Sequence, residues 1–208
     1  MYYQATKKDQ LLFDEQRLSS VTLESPSQLE VDYKIINVVA MGVLTLVEAS
    51  IDLAKIEAVI PVKHPNYFPC VMFKVDGVSI LVFKNGKIIL TAIKDPSLIP
   101  DLKVAIQEIL AAAGIKYTKF TIEIQNLVAM TNLHHRINLE MTCLTLENCL
   151  YEPEQFPAAI VKKYNGQRGV FLIFGNSKII YLGCNSLTHL DTTINALVKE
   201  LYETGLVE

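Results

Sequence analysis

Side chains able to do covalent or metal chemistry are few in this 208-residue chain, and their spacing does not favour it. Cys70, Cys143, Cys149 and Cys184 include no Cys-x-x-Cys pair, so neither a zinc site nor a disulfide framework is expected. All four read as small buried hydrophobes of a reducing compartment. His134 and His135 precede Arg136, but neighbours on a strand point to opposite faces and no Cys or acid completes a ligand set. A loop tip is their expected setting. No nucleophile elbow, phosphate-cradling glycine loop or pair of acids in a catalytic frame occurs. No metal or cofactor is called for, and an enzyme is not expected. The unusual polar groups are two amides: Asn37 lies within Ile35-Ile36-Asn37-Val38-Val39 and Asn126 within Ile124-Gln125-Asn126-Leu127-Val128. An amide in such an apolar run is costly unless it bonds backbone at a bulge or is used on a partner.

The two asparagines belong to a larger pattern. Tyr33 to Met41 matches Ile122 to Met130, Asn66-Tyr67-Phe68-Pro69 matches Glu154-Gln155-Phe156-Pro157, and Leu81 to Ile89 matches Leu172 to Ile180. The three blocks keep one order at offsets of 88 to 91 residues, which marks a tandem duplication. The expected divisions are an N-terminal arm over 1–33, flexible or loosely docked, a first repeat over 34–119 and a second over 120–208.

Each repeat reads as the same series of elements. Strands are expected over 35–46, 70–74, 79–84 and 87–93 in the first, and over 120–130, 158–163, 169–174 and 178–183 in the second. A short helical stretch follows the opening strand, from Asp52 in the first repeat and over 144–148 in the second. Asp76-Gly77, Asn85-Gly86 and Asn165-Gly166 are turn signals. A long amphipathic helix closes each repeat, one from Pro96-Ser97 to a cap at Gly114, the other from Thr188 to Gly205. Hairpins with one long helix per repeat give an α+β fold, a sheet with helices on one face and the other face free for a partner.

Half of the residues are hydrophobic and 20% are charged, which excludes wholesale disorder. The formal charge of −3 provides no global basic field, so any polyanion must be met by a local face. The start lacks the pattern of a signal peptide, and the apolar run over 35–47 is too short to span a bilayer, so an intracellular, soluble protein is expected.

Over residues 33–208 these strings resemble the TATA-box-binding protein family. The most specific is Tyr151-Glu152-Pro153-Glu154-Gln155-Phe156-Pro157, which differs from the family's usual second-repeat string in having Gln155 for Leu. Gln125-Asn126-Leu127-Val128, Ile137-Asn138-Leu139-Glu140, and Leu172-Ile173-Phe174 followed by Lys178 resemble family strings in the family's order. The resemblance implies a tandem-duplicated, pseudo-twofold saddle: a curved antiparallel sheet of ten strands with helices on its convex face. Its concave side would bind and bend A·T-rich, TATA-like promoter DNA through the minor groove, as a general transcription initiation factor. Bending is carried by the resemblance and is not read from the residues.

The resemblance also assigns roles. Phe68 with Phe83, and Phe156 with Phe174, are the apolar wedges that unstack base steps. Asn37 and Asn126 donate to base acceptors near the pseudo-dyad. Val39, Val128, Leu81, Leu172, Ile89 and Ile180 form the apolar floor, and Thr91 lies beside it. Lys74, Lys87, Lys162 and Lys178 meet phosphates. Glu152, Glu154 and Gln155 dock a B-type general transcription factor, with RNA polymerase machinery as the wider partner. The compartment implied is the nucleus, the archaeal cytoplasm, or a host cell or viral factory, according to source. Several positions depart from the family: Leu182 opposite Thr91 in the repeat, Tyr67 for Arg, Asn185 for Lys where Lys94 is kept, and a first long helix with little basic character. These support an alternative, a saddle with reduced or lost DNA binding that acts mainly as a protein-interaction module in transcription.

Overall fold

The computed structural model describes residues 31–66 and 68–207, so the expectations for residues 1–30 of the arm and for Tyr67 lie outside the described residues. The first half contributes β1 (Tyr33–Leu46), α1 (Ala54–Glu57), β2 (Cys70–Val75), β3 (Val78–Phe83), β4 (Lys87–Ile93) and α2 (Ile99–Ala112). The second contributes β5 (Tyr117–Asn132), α3 (Leu139–Thr145), β6 (Cys149–Leu150), β7 (Ala158–Lys162), β8 (Val170–Phe174), β9 (Lys178–Cys184) and α4 (Leu187–Glu203). All nine strands join one antiparallel sheet in the order β2-β3-β4-β1-β5-β9-β8-β7-β6.

The long strands β1 and β5 form the centre. Asn37 lies opposite Val128, Val38 opposite Leu127 and Val39 opposite Asn126. Exchanging each residue for its repeat counterpart returns the same pairs, so the register is symmetric about Val38 and Leu127. Strand alternation then sorts side chains to two faces. One face buries Val38, Ala40, Ile80, Ile88, Ile173 and Tyr181, and the helices contribute Leu102, Ile106 and Leu110 of α2 and Leu190, Ile194 and Leu197 of α4 to the same core. Tyr181 stacks on Phe171 with ring centroids 4.3 Å apart, and its hydroxyl donates to the Arg168 carbonyl at 2.8 Å. Gly169 permits this: its φ is +137°, and a Cβ there would lie 2.5 Å from the Tyr181 ring.

Helix ends follow their capping residues. Asp95 accepts from the Ser97 N–H at 2.9 Å ahead of α2. Gly114, at φ +67°, closes α2 as expected, with the Ile115 N–H donating to the Leu110 carbonyl at 3.0 Å. Gly205, at φ +66°, does the same for α4.

Three expectations are corrected. Among the described residues the sheet has nine strands, where ten were expected. What would be the tenth, beside β2, is reduced to one bridge between Lys63 and Met72, because Pro61 and Pro65 on either side withhold donors from a longer ladder. The short helix of the second half covers Leu139–Thr145 instead of 144–148, since Asn138 caps it by accepting from the Met141 N–H at 3.1 Å. Cys143 and Cys149 are joined in a disulfide between α3 and β6, although they are too few and too oddly spaced to announce a framework. Cys70 and Cys184 are free and buried, as expected.

Candidate nucleic-acid interface

Opposite the helices, the sheet presents a half-exposed apolar face, and cross-strand register lines its residues into rows. One row runs Met72, Leu81, Ile89, Met41 across β2, β3, β4 and β1. Its mirror runs Ile160, Leu172, Ile180, Met130 across β7, β8, β9 and β5. A second row holds Lys74, Ser79 and Thr91 on one side and Lys162, Val170, Leu182 and Val128 on the other. Val39, Val128, Leu81, Leu172, Ile89 and Ile180 are all half-buried on this face, with no second layer over them among the described residues.

The four phenylalanines fall at two related corners. Phe83 pairs with Cys70, two residues beyond Phe68, and Phe174 pairs with Ala158, two residues beyond Phe156. The Phe156 and Phe174 rings meet edge to face with centroids 6.1 Å apart. Phe68 is 59% exposed and Phe156 38%, which excludes an ordinary core role for either ring. Burial pushes the neighbouring Cys70 thiol pKa up, keeping it protonated and inert.

Gly183 is the extra residue of a bulge where β9 meets β5, and Asn126 Oδ1 accepts from its N–H at 2.9 Å. The side-chain carbonyl is thereby satisfied, and the Nδ2 donor has no partner among the described residues. Gly183 adopts φ +91°, and its repeat counterpart Ala92 adopts φ +66° at the matching irregularity of β1 and β4. Asn37 makes no side-chain hydrogen bond among the described residues. Lys74, Lys87, Lys162 and Lys178 are exposed. Lys87 and Lys178 open β4 and β9 after matching turns, each donating its backbone N–H to an Asn side chain, Asn85 at 3.1 Å and Asn176 at 3.4 Å. Thr91 is half-buried opposite Ser79.

Glu152, Glu154 and Gln155 are exposed on the loop before β7. The Glu152 carbonyl accepts from both the Gln155 and Phe156 N–H groups at 2.9 Å, so this loop and the Phe156 ring share one turn. His134, His135 and Arg136 occupy an exposed loop after β5, as expected. Among the described residues no group of His, Cys, Asp and Glu is placed to hold a metal, and no helix is long and apolar enough to cross a membrane. Sequence reasoning missed Ser79, Met41, Met72, Met130 and Ile160. Counting in twos along each strand from Leu81, Val39 or Val128 finds Ser79, Met41 and Met130.

Residues 121–204 match the family model described as transcription factor TFIID, or TATA-binding protein. A TATA-box-binding protein of Pyrococcus abyssi is 33% identical over 168 residues, covering 77% of this chain and 86% of the relative. One from Thermococcus sibiricus is 33% identical over 186 residues, covering 86% of this chain and 97% of its own. The solved structure of the Methanococcus jannaschii protein superimposes with a TM-score of 0.69 at 28% identity, covering 83% of this chain and 99% of that one. Membership rests on 33% identity over 77–86% of this chain, and it agrees with a face that carries apolar and amide groups. The chain belongs to the TATA-binding protein family of transcription factors.

Proposed function

We propose that this protein binds A·T-rich promoter DNA in the minor groove through the face of its sheet opposite α2 and α4. The observation that carries this reading is the joint placement of two exposed phenylalanine corners, two central asparagines and an apolar floor on one symmetric surface. A minor groove at A·T pairs offers acceptors and no exocyclic amino group, so a few donors within an apolar surface match it. Phe68 with Phe83, and Phe156 with Phe174, insert at the two ends and bend the duplex, the behaviour for which this family is the known example. Asn37 and Asn126 donate to bases at the centre. Val39, Val128, Leu81, Leu172, Ile89 and Ile180, with Thr91, pack on sugars and base edges, while Lys74, Lys87, Lys162 and Lys178 neutralise phosphates. Residues 34–119 and 120–208 act as the two repeats, one on each half of the element.

The exposed loop of Glu152, Glu154 and Gln155 recruits a B-type general transcription factor, and through it RNA polymerase. Two exposed carboxylates beside Tyr151 and Pro153 suit a basic partner surface.

The test is fluorescence anisotropy of a labelled A·T-rich duplex against a G·C-rich control. Wild type is expected to prefer the A·T duplex. The Phe68→Ala, Phe156→Ala double variant is expected to lose about tenfold or more of its affinity, equivalent to ~1.4 kcal/mol. No preference, or a preference that survives loss of the wedges, would leave the surface as a protein-interaction module.

A further inference from the structure

The two halves of the face are not chemically equal. The first half carries Ser79 opposite Thr91, and the second carries Val170 opposite Leu182, which in turn lies opposite Val128. All four are half-buried on the face that bears the wedges. The row is otherwise symmetric, with Lys74 pairing Ser79 at one end and Lys162 pairing Val170 at the other.

A hydroxyl both donates and accepts. Against an A·T pair it donates to A N3 or T O2, and against a G·C pair it accepts from the guanine N2 amino group. A valine or leucine does neither, so a guanine amino group pressed against Val170 and Leu182 loses its water and gains no partner. We propose that Ser79 and Thr91 make the first half tolerant of a G·C pair, while Val170 and Leu182 make the second half stringent for A·T. The protein therefore seats itself in one direction on an element of uneven composition, with the G·C-containing half under the first repeat. This inference rests on the minor-groove reading above.

The experiment uses the full chain and a palindromic A·T duplex with two derivatives. One carries a G·C pair at a single position between the centre and the wedge step, and the other carries it at that position in both halves, with the position scanned along the half-site. In wild type the first substitution is expected to cost less than about threefold, because the complex turns its hydroxyl half toward it. The second has no tolerant half left and is expected to cost about tenfold or more. Leu182→Thr recovers most of the second penalty, and Thr91→Leu raises the first to about tenfold. Val170→Thr serves as a further variant should an unfolding scan find Leu182→Thr unfolded. Equal costs for the two substitutions in wild type, or penalties that no folded variant alters, would overturn the inference. Failure of the underlying reading looks different: the all-A·T duplex then binds no better than the G·C control, or the wedge variant keeps its preference, and the inference falls with it.

Discussion

On the proposed reading Asn126 carries two tasks on one side chain, one for each polar atom of its amide. Its Oδ1 accepts from the Gly183 N–H at 2.9 Å, which satisfies a bulge donor that would otherwise be wasted and fixes the amide plane. Its Nδ2 makes no hydrogen bond among the described residues, and on the proposed reading it faces a base acceptor. The bulge bond and the base contact, alternatives from sequence alone, are therefore compatible. Asn126→Asp keeps an acceptor for Gly183 and replaces the outward donor with a charged oxygen facing acceptors and phosphates. It is expected to unfold within about 1 kcal/mol of wild type in a urea titration, while anisotropy finds at least about tenfold weaker DNA binding. Asn126→Leu removes the acceptor as well and is expected to cost roughly 1–3 kcal/mol of stability. If both variants bound DNA as wild type does, Asn126 would be a structural residue only.

At the scale of elements, strands and long helices were legible because several local signals agreed: alternating apolar residues, Asp76-Gly77 and Asn85-Gly86 turns, and the Gly114 and Gly205 caps. The repeat then related one half to the other. What escaped depended on contacts between distant or competing groups. The short helix expected over 144–148 starts earlier, because the Asn138 cap sets where it begins. Ser79 was invisible as a site residue since a serine on a strand carries no signal until register sets it opposite Thr91. The Cys143–Cys149 bond was likewise hidden, since only folding brings α3 and β6 together, with Cα atoms 4.9 Å apart and a sequence separation of six. Closing so short a loop is expected to stabilise the second half by about 2 kcal/mol. Cys143→Ser should therefore lower the urea midpoint under oxidising conditions and match wild type in dithiothreitol. A wild-type midpoint indifferent to dithiothreitol would mean that the bond contributes nothing.

Over the whole molecule, charge and shape give different instructions. The chain is acidic, at −3, so no long-range field draws it to DNA, and acids such as Asp101 and Glu108 sit exposed on α2, away from the apolar face. On the proposed reading attraction comes from four exposed lysines, Lys74 and Lys87 in one half and Lys162 and Lys178 in the other. Each phosphate neutralised releases about 0.9 counterion, so four contacts give a slope of about −4 in log K against log salt. Removing Lys74 or Lys162 should bring that slope nearer zero by about one unit. The ratio of A·T to G·C affinity should stay unchanged, because phosphates carry no sequence and the apolar face and amides do the reading. The reverse pattern, a constant slope with altered preference, would move these lysines from the backbone to the base edges. A slope near zero in wild type would mean that apolar contact alone holds the complex, and that the acidic chain needs a basic partner protein to reach its promoter.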